Sequence, residues 1–267
     1  MQRKPGGHHQ PVQHTILPTS QAQKNFENVI KERTYYEIPW LYEIVPFNTF
    51  QDKRVLELGC GAGYDAYEFM RNGANYTGID LTPENPIRVI KHLSYFGYKP
   101  NVMEGDAEAL LFHEASFDIV FSNGVLHHTP NMQATFNEAF RVLSRDGAFW
   151  VILYHKNSIF FWLTLFLFDH ILRLGFLKRS FKERLSMIEY TSSGALPLVN
   201  VYTKNQVKEH LLKAGFLVEN LWVRKLVKED LPSIPLLRRL YKYIPKSTLD
   251  YFGSYFGWYI IAKARKN

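Results

Sequence analysis

The chain of 267 residues has one cysteine, no hydrophobic run long enough to span a membrane and no leader-like N-terminus. The single cysteine, Cys60, excludes a disulfide framework and is typical of a reducing compartment. The most apolar stretch, residues 159–168, is about half as long as the ~20 residues that a membrane-spanning helix needs. Residues 1–20 lack the apolar stretch of a signal peptide. We therefore expect a cytoplasmic protein, with contact at a membrane surface left open.

Charge is distributed unevenly between the two halves of the chain. Residues 1–154 contain 13 Lys and Arg against 17 Asp and Glu, whereas residues 155–267 contain 19 against 8. A basic half indicates an anionic partner, such as nucleic acid, anionic lipid or an acidic substrate. A basic surface that only maintains solubility explains the same counts, so both interpretations stay open. No group of His, Asp and Glu shows the spacing of metal ligands, and no metal is expected.

The most informative feature is a glycine-rich loop directly after a short apolar strand. Residues 55–58 have strand character and lead into Gly59, Gly61 and Gly63, and a segment that can begin a helix follows. Glycines at such a turn let a nucleotide-like ligand lie against bare backbone. Asp80 ends the next apolar strand, about twenty residues beyond the first glycine, where a carboxylate binds ribose hydroxyls. These features predict a site for a cofactor that contains adenosine.

The spacing of the glycines distinguishes between such cofactors. A dinucleotide loop, G-x-G-x-x-G, would need glycine at position 64, where the chain has Tyr64. The pattern from Glu57 to Gly63 is E-x-G-x-G-x-G, which resembles the first motif of the class I S-adenosylmethionine-dependent methyltransferases. Three later segments match that family in order, namely GDAE at 105–108, FDIVFSN at 117–123 and GVLHHTP at 124–130. The last segment resembles a signature of small-molecule and quinone-type members.

The resemblance implies S-adenosyl-L-methionine as the cofactor and assigns residues to it. Asp80 would bind the ribose and Asp106 the adenine amino group, while Asn123 lies where the family's backbone contacts the cofactor's amino group. Glu57 would order the loop, unless its role is purely structural, and Cys60 is a small side chain in the loop and not a nucleophile. The residues expected to bind the cofactor are Glu57, Gly59, Cys60, Gly61, Asp80, Leu81, Asp106, Ala107 and Asn123.

Candidate catalytic residues follow the fourth and fifth predicted strands. Transfer of a methyl group from a sulfonium depends mainly on alignment, because the cofactor is already activated. A hydroxyl acceptor would also need a base, and histidine is suited to that role near neutral pH. His127 and His128 lie at the carboxyl edge of the predicted sheet, where open α/β sheets bind ligands. Tyr154 and its neighbour His155 are further candidates at that edge. The alternative is that the histidines only form hydrogen bonds within the loop.

Strands and helices alternate from residue 53 onward, which predicts a parallel sheet covered on both faces. The resemblance implies a Rossmann-like α/β fold whose seven-stranded sheet is mostly parallel, with the last strand antiparallel between its neighbours. Asp146 and Gly147 are expected to form the turn into the fifth strand. The predicted strands lie near residues 53–58, 76–80, 99–103, 117–122, 147–154, 216–223 and 258–264. The predicted helices lie near residues 21–33, 63–72, 84–97, 132–143 and 203–214.

We divide the chain into four parts. They are a flexible N-terminal tail and helix (1–34), a cofactor-binding methyltransferase core (35–155), a helical cap insertion (156–201) and the C-terminal part of the methyltransferase fold (202–267). The insertion either lines an apolar acceptor pocket, through Phe160, Phe161, Trp162 and Phe166, or lies on an anionic membrane beside the basic residues that follow it. Tyr190, Thr191 and Tyr202 flank the insertion and are weaker candidates for the acceptor site.

The sequence therefore predicts methyl transfer to a small, partly apolar acceptor, most readily at an oxygen atom. An RNA or protein methyltransferase is an alternative that the basic C-terminal half supports, although no RNA-binding module is recognisable. A non-catalytic cofactor-binding scaffold is a third alternative, and the intact motifs weigh against it. No Asn-Pro-Pro-Tyr, Asp-Pro-Pro-Tyr or Pro-Cys follows the fourth strand, which disfavours methylation of the amino group of adenine or glutamine and of cytosine C5.

Overall fold

The computed structural model describes residues 19–189 and 196–267. The predicted N-terminal tail (residues 1–18), Tyr190 and Thr191 lie outside the described residues. Contacts within the chain divide it into two compact units. The first unit contains Ile16–Ile152, Lys208–Asn220 and Ala262–Asn267, and the second contains Leu153–Val207 and Leu221–Ile261.

Seven strands form one sheet in the order β3-β2-β1-β4-β5-β7-β6. The pairs β1–β2, β1–β4, β2–β3 and β4–β5 are parallel. The strand order reverses between β1 and β4, which is where an open α/β sheet leaves a crevice at the carboxyl ends of its strands. The strands are β1 (Arg54–Leu58), β2 (Asn75–Asp80), β3 (Asn101–Glu104), β4 (Phe117–Asn123), β5 (Leu143–Tyr154), β6 (Leu217–Arg224) and β7 (Tyr259–Arg265). The predicted Rossmann-like fold is confirmed.

The last strand runs antiparallel to β5, as the resemblance implied. The backbone N–H of Asp146 donates to the carbonyl of Lys266, and the backbone N–H of His155 donates to the carbonyl of Trp258. From residue 146 to residue 155, the number of the bonded partner falls from 266 to 258, as it does in an antiparallel pair. In the sheet order, β7 lies between β5 and β6.

The fifth strand begins earlier than the sequence predicted. Residues 143–154 form one strand, and the expected turn at Asp146 and Gly147 is instead an irregularity inside it. Pairing with β4 shifts from Phe117 opposite Leu143 to Ile119 opposite Ala148, and Asp146 has a φ of 62°. The extra residues form a bulge, which bends a strand without ending it. The sequence signal for a turn was therefore real, but its interpretation as the start of the strand was wrong.

Nine α-helices connect the strands in the described part of the chain. Four of the five predicted helices match α1, α3, α5 and α7 closely, whereas α4 ends at Ser94, earlier than the predicted end at residue 97. The helices α2, α8 and α9 were not predicted. The α-helices are α1 (Thr19–Glu32), α2 (Pro39–Ile44), α3 (Tyr64–Arg71), α4 (Glu84–Ser94), α5 (Met132–Val142), α6 (Phe181–Ser186), α7 (Lys204–Lys213), α8 (Pro235–Tyr241) and α9 (Lys246–Phe256).

The core of the first unit is aromatic where β1 and β4 meet the helices. Phe69 of α3 and Phe121 of β4 have no exposed surface, and their ring centroids lie 5.1 Å apart in an edge-to-face arrangement. Phe47 packs on both rings, at 5.1 and 6.1 Å. Buried aromatic side chains contribute large apolar areas. This cluster fixes α3, whose N-terminus adjoins the glycine loop.

The insertion contains a π-helix, Phe160–Leu172, and the short helix α6. Its turns close through wide hydrogen bonds, such as the one from the Arg173 N–H to the Phe168 carbonyl (2.9 Å). Phe160 packs edge-to-face on Trp258 within the second unit, at 4.9 Å between ring centroids. Within residues 19–189 and 196–267, no helix combines the length and apolarity needed to cross a bilayer.

Candidate cofactor and acceptor site

The glycine loop after β1 has the backbone conformation that its three glycines predict. Gly59, Gly61 and Gly63 have φ angles of +83°, +52° and +83°, which other residues adopt at a cost. A Cβ at Gly59 would lie 2.4 Å from the side chain of Val125, whereas a Cβ at Gly61 would meet no atom within 4 Å. Gly59 thus allows close packing with the residues after β4. Gly61 faces open space that a ligand can fill.

Asp80 is the last residue of β2, and its side chain connects that strand to the glycine loop through a hydrogen bond. Its carboxylate accepts hydrogen bonds from the backbone N–H of Gly61 (2.8 Å) and of Thr82 (2.9 Å). The backbone N–H groups of Gly59 and Cys60 both donate to the carbonyl of Ile79, just before Asp80. Binding of the ribose by Asp80 stays a prediction. Its bond to the loop is an additional role that the sequence did not indicate.

Glu57 of β1 is buried and forms a hydrogen bond to a neighbouring strand. The hydroxyl of Tyr76 on β2 donates to its Oε2 at 2.5 Å. Burial, reinforced by the nearby charge of Asp65, raises the pKa of Glu57 well above its usual range. Burial likewise raises the pKa of the Cys60 thiol, so this cysteine is not poised to act as a thiolate nucleophile. Both side chains are buried, and contact of either residue with the cofactor stays a prediction.

A buried ion pair beside the loop was missed by the sequence analysis. The guanidinium of Arg33, directly after α1, contacts the carboxylate of Asp65 in the first turn of α3 at 3.0 Å. The side-chain amide of Asn123, at the end of β4, donates to the other oxygen of Asp65 at 2.9 Å. The ring of Tyr64 lies 5.2 Å from the same guanidinium. The only sequence signal was an aspartate at a helix N-terminus, where a negative charge is favoured.

The predicted adenine side of the site is open. Leu81 follows Asp80 and is 71% exposed. Asp106 is exposed, and its Oδ1 accepts from the backbone N–H of Glu108 at 2.8 Å. Ala107 is half-buried. Gly124, after β4, has a φ of +74° and no atom within 4 Å of a would-be Cβ. The carboxyl ends of β1, β2, β3 and β4 therefore leave a cradle with an apolar surface, Leu81, and two carboxylates, Asp80 and Asp106.

The two adjacent histidines differ in accessibility. Both belong to a short 3₁₀ turn, Leu126–His128, directly after β4. His127 is fully buried and its ring nitrogens are inaccessible, whereas His128 is half-buried. Their rings lie 4.2 Å apart. Burial, with a smaller contribution from the charge of His128, lowers the pKa of His127 well below its usual range. Of the two predicted candidates, His128 is the one that a substrate can reach.

The residues at the end of β5 lie in the second unit. Tyr154 is buried, its ring stacks on Trp258 at 4.5 Å, and its hydroxyl donates to the carboxylate of Glu189. The backbone N–H of Tyr202 donates to the Tyr154 carbonyl at 2.9 Å, so these two sequence candidates are neighbours. Contacts within the second unit therefore fix both the ring and the hydroxyl group of Tyr154.

His155 faces a cavity of about 210 Å³ that Thr203, Lys204 and Tyr255 also line. Its Nδ1 lies 3.0 Å from the carbonyl of Gly257. Since a carbonyl only accepts, Nδ1 carries the proton, and in the neutral ring Nε2 is a hydrogen-bond acceptor. Burial lowers the pKa of His155, which favours this neutral form.

Comparison with known proteins agrees with this geometry. Residues 56–151 match a family model described as a methyltransferase domain. A ubiquinone biosynthesis O-methyltransferase of Psychrobacter cryohalolentis is 30% identical over 129 residues, which cover 46% of this chain and 49% of that protein. A sterol 24-C-methyltransferase of Yarrowia lipolytica is 34% identical over 104 residues, which cover 37% of this chain and 26% of that protein. The chain spans no more than about half the length of these curated relatives.

The fold is shared over a greater length. An S-adenosylmethionine-dependent methyltransferase from Mesorhizobium loti superposes with a TM-score of 0.58 at 17% identity, covering 86% of this chain and 97% of that one. The matched domain contains the glycine loop, Asp80, Asp106 and the histidine turn after β4. Residues 56–151 carry these motifs at the switch point of the sheet, and this part of the chain is a methyltransferase domain of the class I S-adenosylmethionine-dependent type.

Proposed function

We propose that this protein transfers a methyl group from S-adenosylmethionine to an oxygen atom of a small, partly apolar acceptor. The observation that carries the proposal is the cradle at the carboxyl ends of β1, β2, β3 and β4. Space is open there at Gly61 and Gly124, and an accessible histidine, His128, follows β4. The acceptors named for the two curated relatives differ, one being methylated at oxygen and the other at carbon. The histidine is what favours an oxygen acceptor.

The cofactor, when bound, supplies a methyl group on an already activated sulfonium. The chain's own residues bind and orient it. The backbone at Gly61 offers close approach, Asp80 has remaining lone pairs for ribose hydroxyls, and Leu81 offers an apolar surface to the adenine. Arg33 contributes a further group, because its Nε is buried and makes no hydrogen bond to the described residues. A carboxylate is the natural partner for such a donor, and the methionine part of the cofactor carries one.

His128 is proposed as the general base that takes the proton from the acceptor hydroxyl. Its accessibility and its place after β4 support this role over His127, which is sealed from solvent. His127 then acts as a positioning residue, whose ring packs against that of His128. His155 is the second candidate, because Nε2 of its neutral ring is a hydrogen-bond acceptor and the residue lines a cavity. A positioned base contributes roughly 10²–10⁴-fold to such a reaction.

The test measures S-adenosylhomocysteine formation with a panel of hydroxylated aromatic and aliphatic acceptors. We expect His128→Gln to lower kcat by about 10²-fold or more while the affinity for S-adenosylhomocysteine is unchanged. Raising the pH should partly restore the rate of this variant, because more acceptor is then ionised. The matched control is His113→Gln, since His113 is exposed and its side chain makes no hydrogen bond to the described residues.

Three outcomes would overturn parts of the proposal. Full activity in His128→Gln together with loss in His155→Gln would move the base to His155. Full activity in both variants would show that no histidine base is used, as expected for an acceptor that is already ionised. Activity only on RNA or protein would exclude the small-molecule acceptor and favour the alternative that the basic C-terminal half suggested.

A further inference from the structure

The π-helix of the insertion is predominantly apolar, but the described part of the chain buries only one side of it. Phe160 and Leu165 are buried within the second unit. Thr164 is also buried, and its hydroxyl donates to the backbone carbonyl of Asp230 at 2.5 Å. These contacts fix which side of the helix faces the protein.

The opposite side of the helix is an exposed apolar strip. Trp162, Leu163, Leu167 and Ile171 are between 39% and 46% exposed. Hydrogen bonds of the i→i+5 type bring residues four or five apart onto one side of a helix, so these side chains form a continuous surface. A helix that is apolar all round is normally buried on every side. This strip therefore needs a further partner.

The turn after the helix extends the strip and adds positive charge. Leu174, Phe176 and Leu177 are 54%, 48% and 71% exposed. Residues 173–184 contain five basic residues and one acidic residue. Four of the basic side chains are exposed, namely Arg173, which forms an ion pair with Asp169, and Lys178, Arg179 and Lys182. We call the exposed side chains of residues 162–182 the apolar–basic surface.

We propose that the apolar–basic surface docks the protein on an anionic lipid bilayer. Interfacial helices combine an apolar side with basic residues, and they lie in the membrane plane without crossing it. Basic residues beside such a helix are attracted to anionic headgroups. A second copy of this chain is a poorer partner, because a two-fold dimer would bring the same cations against one another. The inference goes beyond methyl transfer and is independent of the acceptor.

The experiment is co-sedimentation of the full chain with phosphatidylcholine vesicles, with and without about one third phosphatidylserine. We expect binding to the anionic vesicles at low salt and release as salt rises, because screening shortens to about 8 Å at physiological ionic strength. The charge variant K178Q/R179Q/K182Q should bind roughly 100-fold more weakly, since each cation near an anionic surface contributes about fivefold. The apolar variant L167Q/I171Q should bind about tenfold more weakly.

Matched controls separate this surface from total charge and from other apolar residues. K53Q/K91Q/K99Q removes three exposed cations from the first unit and should bind like the wild type. L236Q/L240Q removes two exposed leucines of α8, in the same unit as the surface, and should also bind like the wild type. All variants are first compared by thermal unfolding and by binding of S-adenosylhomocysteine. Retained binding by that ligand shows that the cofactor site is intact, whatever the vesicle result.

Several results would overturn the proposal. Equal binding to neutral vesicles, or binding that ignores salt, would exclude the electrostatic part. Equal loss in the first-unit charge control would show that total charge matters and that this surface does not. Failure of the wild type to bind anionic vesicles, with a dimer that L167Q/I171Q dissociates, would assign the surface to a second copy of the chain.

Discussion

Replacing Asp80 should weaken both the fold and cofactor binding, because its carboxylate has two tasks. In the structure it accepts two backbone hydrogen bonds, from Gly61 at 2.8 Å and from Thr82 at 2.9 Å. In the proposed complex it also accepts from ribose hydroxyls. Asp80→Asn keeps the size of the side chain but replaces one acceptor oxygen with a donor. One of the two backbone N–H groups then loses its partner.

The size of both effects follows from these contacts. A hydrogen bond to a charged group contributes about 1.5–3 kcal/mol, so ligand-free Asp80→Asn should lose about that much free energy of unfolding. For a chain of this size, each kcal/mol lowers Tm by about 2–4 °C. Loss of the ribose hydrogen bond should weaken binding of S-adenosylhomocysteine by a further ten- to hundredfold. Asp80→Ala, which removes both backbone bonds, should lose about 3–6 kcal/mol.

The assay combines thermal unfolding without ligand and calorimetry with S-adenosylhomocysteine. Asp106→Asn is the matched control, because Asp106 is exposed and its one backbone hydrogen bond, from Glu108, can be kept by an amide oxygen. Its Tm should stay close to that of the wild type. A fall in affinity without a fall in Tm would show that the bonds to the loop contribute nothing to the fold. A fall in Tm with unchanged affinity would refute the ribose role.

Three further predictions concern the loop, the ion pair and a buried carboxyl group. Gly59→Ala should lose about 2–4 kcal/mol of stability from backbone strain and the clash with Val125. Gly61→Ala should lose only about 1–2 kcal/mol of stability but should bind S-adenosylhomocysteine poorly. Denaturant titration measures the difference in stability, and calorimetry measures the difference in binding. Arg33→Met should lower the free energy of unfolding, because it leaves the carboxylate of Asp65 without its cation, and should weaken S-adenosylhomocysteine binding by at least tenfold in calorimetry; wild-type affinity would exclude a role for the Arg33 Nε. Burial raises the pKa of Asp230 to about 6, so the folded protein binds the proton of the Asp230 carboxyl group more tightly than the unfolded chain does. This group should then contribute a fall of up to about 3 kcal/mol in the free energy of unfolding between pH 4 and pH 6, and Asp230→Asn should remove that contribution from the slope in urea titrations.

The sequence predicted the parts of the fold that depend on local patterns. The strands β1, β2, β4 and β7 were found within one or two residues, because short apolar runs between turn residues are a local signal. The glycines of the loop were also predictable, because positive φ angles exclude most other residues. The helices α2, α8 and α9 were missed. Helix α8 has no buried residue, so it shows no apolar side that pattern analysis could recognise.

Contacts between distant residues could not be predicted in this way. Arg33 and Asp65 are 32 positions apart, and neither belongs to a repeated pattern. The sequence also could not show that His127 is buried and that His128 is accessible, because the 3₁₀ turn determines which of the two rings is buried. Likewise, Asp80 was recognised as a ligand-binding carboxylate, but its bonds to Gly61 and Thr82 depend on the closed loop. The sequence thus located the site, whereas the structure shows which of its residues form the hydrogen bonds and ion pairs that stabilise it.

The helix α1 is a structural part of the cofactor site, although the sequence grouped it with the N-terminal tail. Phe26 of α1 is buried and stacks on Tyr64 at 5.1 Å between ring centroids. Arg33, directly after the helix, neutralises the buried carboxylate of Asp65. A chain that began after residue 34 would leave that carboxylate buried without its cation, which costs about 3–5 kcal/mol. Since Asn123 binds the same carboxylate, the loss would extend to the end of β4, where the acceptor is proposed to bind.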